Sequence, residues 1–440
     1  MPELKEYPVT EPSKLDDLAE KEARRRAELI GAAWSYYNGD HKKQLKVRAG
    51  QPDDNVVLNL VSKMIDQSVS LLFGNPPQFE LDENEDTAEE QLLADILKAN
   101  RLPILLHNTA LSGALSGHCF WKIIPENDSI RIINLRPQLV TVFWNPDDQD
   151  MVMCYRIAWE NSAGDWTRQD IVRLDDESWL ARDMTRPKLA RDWQLVDENI
   201  WGWAFPPVLD WQNLPESQGY YGAPDLANPA LNDRVNFLAS NILRIIKHHA
   251  HPKTVGVGMT ANQVQESSVD SLWTVPAADA NVFNLEMSSD LASSMRMLQS
   301  LQRAFYSEHR AVDLTVLSDK LSQITNFGLR TLFKDALDKL ETKRELYGAA
   351  LKEAAYRILI LANIEAPVPR LHWPDALPFN GLEEIQEIRQ ELELGLISKR
   401  TAANIRGRDW AIEQERLLDE QQSEESLGGI LLRAFERGGA

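Results

Sequence analysis

The sequence predicts an α+β fold, predominantly helical. Two observations carry this. Apolar residues recur at helical spacing through residues 14–115 and again through residues 225–363. Between these blocks, residues 119–208 change to short β-like runs separated by polar turns. A third observation limits the class: no apolar run approaches the roughly 18 to 20 residues that span a bilayer. Charge and hydrophobicity are those of a folded soluble chain.

A charged helix is expected over residues 14–37, ending at Trp34-Ser-Tyr-Tyr-Asn-Gly-Asp-His41, where Asn38-Gly39 is a turn signal. Residues 55–73 place Val57, Leu60, Val61, Met64, Ile65 and Leu72 on one helix face, stopped by Gly74 and Pro76-Pro77. An acidic loop from Asp82 to Glu90 leads to helices at Glu89–Ala99 and about Pro103 to Leu115. The β-like runs follow at Phe120–Ile124, Ile130–Leu135, Val140–Trp144, Met151–Trp159 and Asp170–Leu174, which predict an antiparallel meander. Trp144, Trp159, Trp166, Trp179 and Trp193 recur there, as sheet packing or as a ligand cage.

The section from Pro224 to Asn363 is the most distinctive. A helix over about Asp225 to Ala250 would run roughly 39 Å. An insert, His251–Ser288, carries strand-like Thr254–Gly258, a short helix near Gln263–Leu272 and strand-like Asn281–Glu286. A second helix covers Ser289–Arg310, a polar loop Ala311–Gly328, and a third helix of roughly 50 Å covers about Leu329–Asn363. Strand-like Arg370–Trp373 and helices at Leu382–Leu394, Ser398–Asn404 and about Asp409–Gln422 follow. Two long helices bracketing a compact insert build a stalk with a tip more readily than a pocket.

Catalytic motifs are weak. Gly256-Val-Gly258-Met-Thr-Ala261 matches a dinucleotide fingerprint, but lacks the apolar strand, three-turn helix and second parallel strand that such a unit requires. His248, His249 and His251 diverge on a helix end and have no cysteine or acid at ligand spacing. Glu341-Thr-Lys343 resembles a nuclease fragment, yet falls inside a long helix with no paired Asp before it. No phosphate-binding loop of the G-x-x-x-x-G-K-S/T form and no G-x-S-x-G elbow occurs. Cys119 and Cys154 are too few for a disulfide framework or zinc finger, and a reducing, intracellular site of synthesis is expected. No catalytic residue, metal or cofactor is expected.

The net charge of −20 argues against tight wrapping of nucleic acid, but it is unevenly spread. Residues 1–223 hold 37 acids and 23 bases, residues 224–360 hold 15 of each, and residues 361–440 contribute −6. The helical middle is neutral between acidic flanks, which permits loose passage of DNA. Arg296, Arg303 and Arg310 recur every seven residues, as a solvated face, as subunit salt bridges, or as weak phosphate contacts.

The ordered set of segments resembles the portal, or head-to-tail connector, proteins of tailed bacteriophages. The resemblance rests on Trp34 to His41; on Asn59 to Gly74 with Lys63 and Asp66; and on Phe205-Pro-Pro-Val208 through Asn213. It continues in Gly222-Ala-Pro-Asp-Leu226 with Leu231-Asn-Asp233 and Asn236, in Trp373-Pro-Asp-Ala-Leu-Pro378, and in Gly395-Leu-Ile-Ser398 with Thr401-Ala402. It implies a portal fold with a wing (1–224), stem helices (225–250 and 289–310), a clip (251–288) and a tunnel loop (311–328). A long wing helix with a returning strand (329–380) and a small crown (381–440) complete it. It further implies a non-enzymatic, dodecameric ring at one capsid vertex, passing double-stranded DNA in packaging and ejection. Expected partners are the terminase large subunit, a head-tail adaptor, and the major capsid and scaffolding proteins, with assembly in the host cytoplasm and no membrane. Lys320, Ser322, Gln323, Asn326, Arg296, Arg303 and Arg310 are the expected channel residues. Gln263, Glu266, Asp270 and Trp273 are the expected clip docking residues. The rival classes are a nuclease or nucleotide-dependent DNA-processing enzyme using the Gly256 loop or the Glu341 region, and a capsid scaffold without a channel.

Overall fold

The structure is a computed structural model. It describes residues 12–46, 53–81, 88–126, 129–145, 147–174, 177–217, 219–250, 254–257, 281–284, 291–314, 326–364, 367–377, 381–405 and parts of 410–418. The chain divides into two compact units, Met1–Ala376 and Leu377–Ala440.

In the first unit, α1 (Pro12–Tyr37), α2 (Leu60–Phe73), α3 (Ala88–Ala99) and α4 (Leu102–Ser116) lead into the sheets. Helix α2 is amphipathic as predicted, burying Leu60, Val61, Met64, Ile65, Val69, Leu72 and Phe73. Its start is capped by Asn59, whose Oδ1 accepts the Ser62 N–H at 3.1 Å. Residues 55–59, expected inside that helix, lie outside it in irregular backbone. Helix α4 ends at Gly117 with φ +81°, where a Cβ would lie 2.1 Å from the Gly222 carbonyl oxygen.

The β region forms two sheets rather than one. Strands β4 (Val140–Asn145), β5 (Asp148–Glu160), β6 (Trp166–Arg173), β7 (Trp179–Arg186) and β8 (Gln194–Trp201) make the predicted antiparallel meander. Strands β2 (His118–Glu126) and β3 (Ser129–Asn134) pair instead with β9 (Val208–Gln212), in the order β3-β2-β9. Strands β7, β8 and β9 lie outside the β-like runs of the sequence. Strand β8 is exposed along nearly its whole length, so no alternation of burial marks it. The tryptophans pack on the sheets: Trp144 stacks on Tyr220 at 5.0 Å, and Trp166 lies opposite Arg186 across strands.

Helix α5 (Ala230–Ala250) and α6 (Leu291–Glu308) flank an antiparallel strand pair, β10 (Thr254–Val257) and β11 (Asn281–Asn284). The third helix, expected unbroken, is interrupted at Phe333 (φ −88°, ψ 2°) into α7 (Asn326–Leu332) and α8 (Lys334–Leu361). Phe333 is buried there while its neighbour Leu332 is half exposed. Helix α8 lays Leu340, Tyr347, Leu351, Ala354 and Ile358 against α2, α4 and the β3-β2-β9 sheet in one core. Strand β12 (Arg370–His372) returns to pair with β1 (Gln78–Glu80). In the second unit, α9 (Gly381–Glu393) and α10 (Lys399–Ile405) match the predicted helices.

Candidate functional site

The helix pair α5 and α6 is built as an arm. The two helices pack together. Asn228, two residues before α5, bonds to the end of α6, its N–H to His309 Nε2 at 3.3 Å and its amide to Glu308 at 3.2 Å. The far ends are joined through the β10–β11 pair, so the helices run antiparallel with a strand-built tip. Together they carry five Lys or Arg against two Asp or Glu, a basic arm on an acidic chain. Phe237, Ile246, Met295 and Met297 are each more than two-fifths exposed on it.

One face of α5 is a polar ladder. Asn232, Asn236 and Ser240 recur every fourth residue and are buried. Asn232 Oδ1 accepts the Leu60 N–H at 2.9 Å, Asn236 Oδ1 the Leu58 N–H at 2.8 Å, and Ser240 Oγ the Val56 N–H at 2.9 Å. Asn232 returns its amide to the Leu58 carbonyl at 2.8 Å. The ladder takes the Val56 and Leu58 donors of the 55–59 segment and the Leu60 donor at the start of α2, which supports a non-helical 55–59.

The foot of the arm is clamped to the first unit by charged and amide side chains. Asp225, just ahead of α5, pairs with Lys343 of α8 at 2.7 Å with both side chains buried. Lys343 also donates to Ser68 of α2 at 3.0 Å, and Asn213 donates to Asp225 at 3.2 Å. Burial alone would raise the Asp225 pKa, but Lys343 and Lys339 beside it hold the carboxyl well below the usual range. Lys339 donates to the His309 carbonyl at 2.8 Å. Gln67 brackets Val312, accepting its N–H at 3.0 Å and donating to its carbonyl at 3.3 Å. His309 donates from Nδ1 to the Phe305 carbonyl at 2.7 Å, leaving Nε2 as the acceptor for Asn228. Burial lowers its pKa, in keeping with a neutral ring.

One feature of the sequence points to the clamp. Lys343 falls on the same helical stripe as Leu340, Tyr347 and Leu351, and a charge on an apolar stripe needs a buried partner. The Glu341-Thr-Lys343 fragment is thereby accounted for: Lys343 serves Asp225, and Glu341 lies exposed beside Arg344. The Gly256 fingerprint begins in an antiparallel pair, where Gly256 faces Val282, and not in a parallel unit.

Arg296 and Arg303 lie exposed on α6, on the side away from its packed residues Leu298, Leu301 and Phe305. Arg310 departs from their stripe: α6 ends at Glu308, and Arg310 sits beyond it in the left-handed region at φ +49°. Asn326 opens α7. Lys320, Ser322 and Gln323, with the clip residues Gln263, Glu266, Asp270 and Trp273, lie outside the described residues, as does His251.

A second buried cluster has the composition of an acid–base site. His118 Nε2 meets Asp210 at 2.8 Å, and Tyr155 and Tyr220 each donate to Asp210 at 2.5 Å. The Gly222 N–H points at His118 Nδ1 at 3.4 Å, so Nε2 carries the proton that Asp210 accepts. His118 is 2% exposed, and burial lowers its pKa. The cluster ties β2, β5, β9 and the 219–222 segment together from a buried position. Among the described residues no group of three His, Cys, Asp or Glu could hold a metal ion, and no helix is long and apolar enough to cross a membrane.

The sequence matches the phage portal protein family, SPP1 Gp6-like, over residues 18–427. The chain belongs to that portal family. Its fold is shared with a chain in the virion of a native gene transfer agent particle, at a TM-score of 0.51 and 11% identity, covering 86% of this chain and 99% of that one. It is shared also with a chain in the neck of an empty gene transfer agent particle computed with C6 symmetry, at 0.54 and 12%, covering 82% and 95%. No curated protein matches the sequence.

Proposed function

We propose that this chain is the non-enzymatic subunit of a dodecameric ring at one capsid vertex of a virion, the channel for packaging and ejecting double-stranded DNA. The observation that carries the reading is the arm: two antiparallel helices with a strand-built tip, clamped at the foot, in a chain of the portal family. In this reading 1–224 form the wing, 225–250 and 289–310 the stem, and 251–288 the clip, where the terminase large subunit and later a head-tail adaptor dock through Gln263, Glu266, Asp270 and Trp273. Residues 311–328 form the tunnel loop, 329–380 the wing helix and returning strand, and 381–440 a crown. Major capsid and scaffolding proteins surround the ring during assembly in the host cytoplasm.

Channel contact is assigned to Lys320, Ser322, Gln323 and Asn326 with Arg296 and Arg303. The arm's excess of cations on an acidic protein supports this, since weak rings of positive charge hold DNA without arresting it. Electron microscopy of the purified full-length chain is expected to show rings with a central hole. Lys320→Ala with Arg303→Ala is expected to lower DNA packaging or retention while rings still form. Compact monomers that cleave DNA or hydrolyse nucleotide, or unchanged packaging by the double variant in intact rings, count against the respective parts.

A further inference from the structure

Four helix ends among the described residues close with the same pair of hydrogen bonds. After α1, α6, α8 and α9, a left-handed residue donates back three residues and its successor donates back five, at Gly39, Arg310, Asn363 and Gly395. Three of the four positions hold the residues that tolerate positive φ, glycine or asparagine. Arginine at the fourth costs on the order of 1 kcal/mol in backbone strain. Arg101 and Glu177 are left-handed as well, and what sets Arg310 apart is the cleft beside it.

The Arg310 side chain borders a cleft lined by Gln67 and Ser68 of α2 and by Lys339 and Lys343 of α8. Three cations, Arg310, Lys339 and Lys343, thus line the cleft, and the carboxylate beside the two lysines, Asp225, is already paired with Lys343. Lys339 is 5% exposed, spends one of its three donors on the His309 carbonyl and forms no ion pair among the described residues. Arg310 forms none either. Burial lowers the Lys339 pKa; the Asp225 charge opposes this in part, and the neighbouring Lys343 and Arg310 charges add to the lowering. Asp225 offsets part of the cost of burying two ammonium groups, and a second anion at the cleft would offset more.

We propose that this cleft is the socket for a carboxylate of a second copy of the same chain, which completes the site when copies assemble. The inference rests on the ring reading. A closed ring joins each copy to the next through two different surfaces, so a cationic socket on one meets an acidic projection on its neighbour. The chain offers 67 Asp and Glu against 47 Lys and Arg, and acids are what it has in surplus. A duplex phosphate is the poorer occupant, because a stiff rod cannot carry it to the buried floor where Lys339 lies. A side chain can.

The test is sedimentation of the full-length protein over a range of concentrations, comparing wild type with Arg310→Gly, Arg310→Asn and Arg310→Lys. Glycine and asparagine suit the left-handed backbone, so both variants should melt at or above the wild-type temperature. Their half-assembly concentration should nevertheless rise by about tenfold or more, with Arg310→Lys between them and wild type. If both neutral variants assemble at the wild-type concentration while wild type forms rings, the socket is overturned and the ring reading stands. If Arg310→Gly loses binding of inorganic phosphate or of duplex DNA without any change in assembly, the cleft is a free-anion or nucleic-acid site, and the proposal is likewise overturned. A wild-type chain that never self-associates overturns both.

Discussion

His309 shows how one side chain can set the order of a joint. Its Nδ1–H is committed to Phe305, its Nε2 lone pair receives the Asn228 N–H, and its carbonyl holds Lys339. A proton on Nε2 would set two donors against each other. Because burial lowers its folded pKa, the unfolded chain binds the extra proton first as pH falls. The stability it contributes is fully present above the unfolded value of about 6.5 and is lost as pH drops toward the depressed folded value. His118 is lowered as well and adds to the trend. Urea midpoints should therefore fall between about pH 7.5 and pH 5.5, and the gap between wild type and His309→Gln should narrow over that range. A gap that stays constant would mean that His309 titrates alike in both states.

At the scale of elements, the polar ladder of α5 decides a neighbour's structure. Val57 and Leu60 carry the same period as α2, so pattern alone extends that helix back to residue 55. Periodicity records which residues are apolar, not which backbone donors already have partners, and Asn232, Asn236 and Ser240 lie some 180 residues away. Asn236→Leu should preserve the α5 face while leaving the partly buried Leu58 N–H without its side-chain acceptor. A loss of about 1–3 kcal/mol is expected, with hydrogen-exchange protection falling at Leu58 before it falls in the body of α2. Equal loss of protection across both elements would assign the cost to α5 packing instead. The same limit explains the other misplaced boundaries. Helix α5 starts at Ala230 and not Asp225 because Pro229 disfavours helix at Asn228 and Asp225 is held by Lys343.

For the whole molecule, local patterns gave the order of helices, sheet and arm, because each is a period repeated over many residues. They could not give the foot, where Ser68, Asn213, Asp225 and Lys343 meet from four distant segments. That meeting point decides how firmly the arm is rooted. Replacing Lys343 by Met leaves Asp225 ionised, buried and short of its main partner, and should cost about 3–5 kcal/mol. Lys343→Met with Asp225→Asn removes both charges and should recover much of that loss, since an amide still accepts from Asn213 and needs no counter-ion. The two single variants and the double variant form a cycle whose coupling can be read from denaturant midpoints. A coupling near zero would mean that Lys339 alone neutralises Asp225, and that the arm is held by packing rather than by the ion pair.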